Sequence, residues 1–222
     1  MSGTTSPSTP QLRVHLLLRD LQPQFAAWLA TPTRARGYPP YAGQHALVVE
    51  VAPGLAIHRI ADLALRAAPA VEPGILFVER QFGVLEVHGD ELADVEAAGA
   101  AILGGLGASA EDRLRPDVLY SDVIDDVADT HAVIVNRTRE ASMLLPGQSL
   151  LVHEVTPALF AALAANEAER AAPGLTLVDV SMIGAAGRLY VAGSAREIGA
   201  AREAIGTALD GVEGRDRPKE RV

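Results

Sequence analysis

The sequence predicts an α/β protein built from two tandem, compact domains. Three observations carry this: an internal repeat, a matching order of strand-like and helix-like segments in each copy, and a composition able to fill two cores. Leu47, Glu50, Val51, Pro53 and Leu55 recur as Leu151, Glu154, Val155, Pro157 and Leu159, at a constant offset of 104 residues. The same offset lays Arg66-Ala67-Ala68-Pro69 on Arg170-Ala171-Ala172-Pro173, then Gly83, Leu85, Val87 and Gly89 on Gly187, Leu189, Val191 and Gly193, without a gap. A period this long is not a solenoid unit, so each copy needs its own core. The 222 residues divide into a tail (1–10), a first domain (11–107), a second domain (113–212) and a charged tail (213–222). Each domain is close to the common size of roughly 100 residues.

Element by element, residues 1–10 are rich in Ser, Thr and Pro and read as a flexible tail. Leu12–Leu18 reads as a strand feeding a short helix at Pro23–Ala30, followed by a Pro/Gly-rich loop over Thr31–Gly43. His45–Val51 is β-branched enough for a buried strand. Pro53 suits the start of the helix Gly54–Ala68, whose Leu55, Ile60, Leu63 and Ala67 fall at helical spacing. Pro69 and Pro73 stop it. Gly74–Glu79 and Val84–Val87 form two strands around Arg80-Gln81-Phe82-Gly83, and Asp90–Leu103 is an alanine-rich helix. The pattern then restarts. Val118–Val123 resembles the opening strand, Asp125–Asp129 makes a poor helix, and Ala132–Val135 reads as a further strand. Gln148–Glu154, Pro157–Ala172, Leu175–Val180, Arg188–Val191 and Ala195–Leu209 repeat the order strand, helix, two strands, helix. Gly211–Val222 reads as a disordered charged tail.

Hydrophobic residues make up 49% of the chain but aromatics only 4%, so alanine and branched aliphatics must fill thin helix-on-sheet layers. The net charge is −9 and Lys219 is the only lysine, which argues against the basic stripe that nucleic-acid binding requires. Without cysteine, disulfides and thiolate metal sites are excluded. The first residues lack a basic region followed by an apolar one, and no unbroken apolar run reaches about 18 residues. The expectation is a soluble, cytoplasmic protein without a membrane or nucleic-acid partner.

Several segments together resemble a family. They are Leu47-Val-Val-Glu-Val51 and Leu150-Leu-Val-His-Glu-Val155, the helix ends Leu65-Arg-Ala-Ala68 and Glu169-Arg-Ala-Ala172, the turn Ser181-Met-Ile-Gly-Ala-Ala-Gly187 leading into Arg188-Leu-Tyr-Val191, and the small-residue helix Val95-Glu-Ala-Ala-Gly-Ala-Ala101. Occurring twice and in order, they resemble the shell proteins of bacterial microcompartments in their tandem-domain form. The arrangement looks circularly permuted, because each repeat opens on the extra strand and helix with which simpler members finish.

The resemblance implies an α+β domain with an antiparallel sheet flanked by helices, and a homotrimer whose six domains imitate a hexamer and tile edge to edge with other shell proteins. It implies a structural rather than enzymatic role in the microcompartment shell, around encapsulated enzymes, with no cofactor and with small metabolites passing a central pore. The pore-lining residues it implies are Glu79, Arg80, Gln81, Phe82 and Gly83 in the first domain. In the second they are Ser181, Met182, Ile183, Gly184, Ala185, Ala186 and Gly187. Rings of Glu79 and Arg80 suit a discriminating pore, and Gly184 and Gly187 permit close backbone approach and positive φ. Some permuted members gate the pore by swinging an acidic-basic pair. Glu79-Arg80 matches that pattern, with Gly83 as the expected pivot, whereas Ile183-Gly184 does not. Arg66 and Arg170 fall where simpler members carry a lysine at the tile edge, their guanidinium groups expected against backbone carbonyls of the neighbouring plate.

Plainer readings stand beside these. A Glu-Arg pair at a strand end is commonly a solvated turn, and an arginine late in a helix complements the helix dipole unaided. Gly184-Ala-Ala-Gly187-Arg188 lacks the Gly-Lys-Ser/Thr ending of a nucleotide loop. His15, His45, His58, His88, His131 and His153 show no metal-ligand spacing, and His45 and His153 read as satisfied strand residues. Asp122, Asp125, Asp126 and Asp129 lack the glycine and final glutamate of a calcium loop, and there is no Gly-x-Ser-x-Gly elbow. Catalytic residues and a metal site are therefore not expected. The alternative function is a duplicated α/β regulatory protein that binds a small molecule in the cleft between its domains.

Overall fold

The computed structural model describes residues 9–31 and 37–217. The first domain contains β1 (Gln11–Leu18), α1 (Pro23–Leu29), β2 (His45–Ala52), α2 (Ile57–Ala67), β3 (Glu72–Glu79), β4 (Phe82–Gly89) and α3 (Leu92–Leu106). The second contains β5 (Asp117–Ile124), α4 (Asp129–Thr138), β6 (Ser149–Thr156), α5 (Phe160–Ala171), β7 (Thr176–Ser181), β8 (Gly187–Gly193) and α6 (Ala195–Asp210). Each domain has one antiparallel sheet, ordered β1-β2-β4-β3 in the first and β5-β6-β8-β7 in the second. The strand that opens each copy thus lies at a sheet edge, beside the first strand of the repeated unit.

Helices α2 and α3 cover one face of the first sheet, where Ile57, Ile60 and Ile102 meet Leu47, Val49, Leu85 and Val87. Helices α5 and α6 do the same for the second sheet through Ala161, Ala164, Ile198 and Ile205 on Leu151, Leu189 and Val191. Alanine lets the helices lie close to the strands, which is how a chain so poor in aromatics packs densely.

The duplication extends to unusual backbone positions. Asp20 and Asp126 both have positive φ (52° and 51°), as do Gly43 and Gly147, and the Ala52-Pro53 and Thr156-Pro157 peptides are both cis. Gly83 and Gly187 sit at matching register opposite Val51 and Val155. A Cβ at either would collide with a backbone carbonyl, that of Gly54 or Ala158, so both are glycine for close approach rather than for flexibility.

Three local expectations are corrected. Ala132–Val135 is not a strand but the middle of α4, and Asp125–Asp129 is not helical until its last residue. The β-branched run conceals helical spacing: Ala132 and Val135 face the second sheet with Val127, Leu144, Leu150 and Val178, while Val133 and Ile134 point outward. Asn136 secures this arrangement, donating from Nδ2 to the Leu144 carbonyl at 2.7 Å and accepting the Leu144 N–H at 2.9 Å. The charged tail is not free over its first half. Val212 is buried, and Arg215 pairs with Leu114 as an isolated parallel bridge. Residues 1–8 and 218–222, and with them most of the expected tails and Lys219, lie outside the described residues.

The two domains share a seam. The second face of β1 (Val14, Leu16, Leu18) and the apolar side of α1 (Phe25, Ala26, Trp28) run into one core with Leu159, Ala162 and Ala165 of the second domain. Phe25 and Trp28 stack with ring centroids 6.0 Å apart. Helix α1 is short, begins at Pro23 and has no side-chain cap of its own. Its N-terminal N–H groups, which lack partners within the helix, are satisfied from across the seam, where the buried Glu169 carboxylate accepts from Gln24 N at 2.8 Å and Phe25 N at 2.9 Å, and Asn166 Oδ1 accepts from Gln22 N at 2.9 Å. A carboxylate at a helix N-terminus is favoured by both the free donors and the dipole. The Gln24 amide extends the pairing, donating to the Leu175 carbonyl and accepting the Leu177 N–H, both at 2.8 Å, beside the edge strand β7. Glu169→Ala should therefore strand two buried donors and lower unfolding stability by about 1–3 kcal/mol, as read by chemical denaturation. Unchanged stability would show that the cap does not hold the seam.

Candidate functional site

The candidate site is a pair of turns at equivalent ends of the two sheets. In the first domain, Glu79 pairs with Phe82 across the β3-β4 hairpin, leaving Arg80-Gln81 as a two-residue connection. Arg80 adopts φ 50°, a conformation that costs a non-glycine residue roughly 1–2 kcal/mol. Its side chain is 89% exposed, and its Nε lies 3.7 Å from Glu79 Oε1. An open ion pair at that distance contributes little by itself, and the exposed Arg80 guanidinium presents its charge to the surroundings.

Behind the turn, the Arg13 guanidinium stacks 3.8 Å over the Phe82 ring, and its Nε donates to Glu50 Oε1 at 2.6 Å. Glu50 is buried, and burial raises its carboxyl above the ordinary carboxylate value, opposed by the hydrogen bond and charge of Arg13 and the charge of Arg217. Gly83 is held in β4, so the expected pivot is absent there. Freedom in this turn is confined to Arg80 and Gln81.

The second loop is longer. Its last strand pair is Ser181 with Arg188, and residues 182–186 span the gap between β7 and β8. Gly184 has φ 130° and open space where a Cβ would stand, and it occupies the position of Arg80 in the repeat. Thr156 Oγ1 donates to the Ala185 carbonyl at 3.1 Å and accepts from Arg217 Nη1 at 2.9 Å.

Of the residues expected to line a pore, Arg80, Gln81 and Ala185 are exposed tips, and Glu79, Phe82, Ser181, Ile183, Gly184 and Ala186 are half-buried. Gly83 and Gly187 are buried in their strands, and the Met182 side chain is packed against the core beside the seam. Arg170, expected against the carbonyls of a neighbouring plate, is engaged inside the chain. Its guanidinium reaches Asp20 Oδ2 at 2.9 Å, the Asp20 carbonyl at 3.0 Å and the Arg19 carbonyl. Its counterpart Arg66 is exposed and bonds Asp62 within α2 at 2.8 Å.

The seam partners Glu169, Asn166 and Gln24 and the Arg217-Thr156 contact were not among the sequence candidates. A signal existed for Glu169, a charge at a core-facing position of a helix whose repeat partner is Leu65. A cavity of about 590 Å³ also opens at the seam between Trp28, Ile75, Asp179, Arg188 and Tyr190. Among the histidines, His45 Nδ1 accepts from Asp20 N at 3.0 Å. His153 departs from expectation: its buried Nε2 has no hydrogen-bond partner among the described residues, and burial lowers its pKa. Among the described residues no three His, Asp or Glu side chains gather as a metal site, and no helix is long and apolar enough to cross a membrane.

The comparisons with known proteins agree with this geometry. The family model of the CsoS1D N-terminal domain matches residues 12–112. The chain is 41% identical over 211 residues to the carboxysome shell protein CcmP of Synechococcus elongatus, covering 95% of this chain and 97% of that protein. It is 41% identical over 200 residues to the carboxysome shell protein CsoS1D of Hydrogenovibrio crunogenus, covering 90% and 96%. The structure superposes with a TM-score of 0.90 and 65% identity on the double-ringed trimeric shell protein MSM0271 of the RMM microcompartment, over 94% of this chain and 100% of that one. The fused permuted hexameric shell protein MSM0275 of the same microcompartment gives 0.88 and 44%, over 92% and 99%. The chain belongs to the tandem-domain, circularly permuted shell proteins of bacterial microcompartments, and it is a structural shell protein.

Proposed function

We propose that three copies of this chain close into a ring of six near-equivalent domains, a tile of the shell whose axis is a pore for small metabolites. One observation carries the ring: residues buried at the seam within the chain have exposed apolar counterparts in the other domain. Leu159 is fully buried and its counterpart Leu55 is 74% exposed. Val14 and Trp28 are buried, whereas Tyr120 and Ile134, two residues further on than the main offset, are 54% and 65% exposed. Leaving such surfaces in water costs roughly 25 cal/mol per Å². Repeating the seam between chains places β5 and α4 of one copy on α2 and β3 of the next and buries all of them, and a repeated heterologous contact that closes makes a ring. The same operation turns the Asp20-Arg170 pair into Asp126 of one chain with Arg66 of the next, so Arg66 belongs to the contact between chains rather than to the outer edge.

Closure brings three Glu79-Arg80 turns and three second-domain loops around one axis. Like charges crowded there are costly unless paired, which favours alternation of Glu79 and Arg80 in a closed state. With Gly83 fixed, opening is a rearrangement of the Arg80-Gln81 turn and its side chains. Outside the pore, such tiles meet other shell proteins edge to edge and enclose enzymes. The seam cavity is where the regulatory alternative would seat a metabolite, but that reading leaves Leu55, Tyr120 and Ile134 uncovered.

Light scattering should give a mass of three chains of 23.3 kDa, or of two such rings. Leu55→Asp should leave folded monomers, and Arg66→Asp should weaken the ring until Asp126→Arg restores it. A stable parent monomer at micromolar concentration would refute closure.

Arg80→Gly should remove the cation while relieving the positive-φ cost, so the fold is kept or stabilised by about 1 kcal/mol. Reconstituted shells should then admit larger solutes. Unchanged solute exclusion with intact tiles would refute the gate and leave the tile standing.

A further inference from the structure

We infer that Arg217 is a positioning residue: carried by the C-terminal strap, it ties down the longer second-domain loop. The inference rests on the pore reading for its functional meaning, but its structural basis is separate.

The strap begins where the sequence suggested a loose tail. The linker residues Arg113–Arg115 and the chain after α6 run side by side, with Arg215 N donating to the Arg113 carbonyl at 2.8 Å and Arg115 N to the Arg215 carbonyl at 3.0 Å. Both lie along the outer edge of β1, whose carbonyls need donors because no further strand pairs there. Arg13 receives Leu114 N at 2.9 Å, His15 receives Arg113 Nη1 at 2.8 Å, and Leu12 receives Arg215 Nη2 at 3.1 Å. Seven residues after α6, the path delivers Arg217 to the ends of β2 and β6.

There its guanidinium serves a relay: Arg217 Nη1 donates to Thr156 Oγ1 at 2.9 Å, and that hydroxyl donates in turn to the Ala185 carbonyl at 3.1 Å. A hydroxyl that accepts from a cation is a better donor, so the two bonds reinforce each other. Thr156 is buried and so is sheltered from competing water.

The first domain has no equivalent of the Thr156 relay, since Ala52, which carries no hydroxyl, stands at the position of Thr156. Nor does it need one. A two-residue hairpin is anchored at its root by its strands, which leaves only Arg80 and Gln81 beyond them, whereas residues 182–186 lie beyond the last strand pair and require an external tie. The consequence is a division of labour: the second loop is a fixed frame, and the charged first turn is the part free to change.

The test is hydrogen exchange by mass spectrometry on the full assembled chain, with thermal unfolding and particle mass as controls. Arg217→Ala should raise exchange across Met182–Gly187 by about tenfold, the scale of a lost charged hydrogen bond, and leave particle mass unchanged. Thr156→Val should do the same, the double variant should do no more than either, and Arg217→Lys should restore most of the protection. Unchanged exchange in Arg217→Ala, or effects of the two single variants that add, would overturn the tie. Solute exclusion by reconstituted shells reports the pore separately: raised exchange with unchanged exclusion would keep the tie and reject the pore-lining role of this loop.

Discussion

The rest of the molecule depends on the burial of β1 and α1 against the second domain. Without it α1 would be a two-turn helix with no cap of its own, far below the length at which helices persist alone. With it, α1 gains the Glu169 carboxylate at its N-terminus and an apolar bed of alanines below. The fit fixes the angle between two similar domains. Because the second domain carries nearly the same surfaces as the first, in the proposed ring that angle is also a rule for adding the next copy. An assembly property is thereby encoded in an intramolecular contact.

The duplication preserves geometry where backbone approaches backbone and relaxes it where side chains meet solvent. Gly83 and Gly187 must stay glycine because carbonyls occupy the space of a Cβ, and this fixes the root of each turn. Beyond the roots the copies diverge: one closes in two residues around a charged pair, while the other takes five and is tied from outside. In the proposed ring, constant roots with variable tips keep the symmetry and still present two chemistries at the axis.

Much of this was legible in the sequence. The repeat gave both sheets and most helices, because identical spacing of Val, Leu, Gly and Pro at a fixed offset demands the same fold twice. The region over Ala132–Val135 was misread because its β-branched residues split between core and surface at helical spacing, which a four-residue window cannot reveal. The tail was misread for a different reason: Arg215 and Arg217 are charged, and only the fold shows that carbonyls of β1 and a buried threonine await them. Arg170 showed the reverse problem. Its place late in a helix was correctly read, but its partner, Asp20, lies 150 residues away and no local pattern announces it.

The contrast between Glu169 and Leu65 explains what a tandem chain gains over six identical copies. A buried carboxylate is tolerable only where its donors are always present, since the desolvation penalty is otherwise uncompensated. Within one chain the donors on α1 are tethered and arrive at high effective concentration, so the seam can use Glu169 for orientation. In the proposed ring, the contact between chains forms only on assembly. There the equivalent position is Leu65, which stabilises contact over a range of approach angles and leaves no charge stranded beforehand. Identical subunits would have to use one solution at every seam. Fusion allows a polar, direction-setting seam to alternate with an apolar, forgiving one, so the first can be complete before the second has to form.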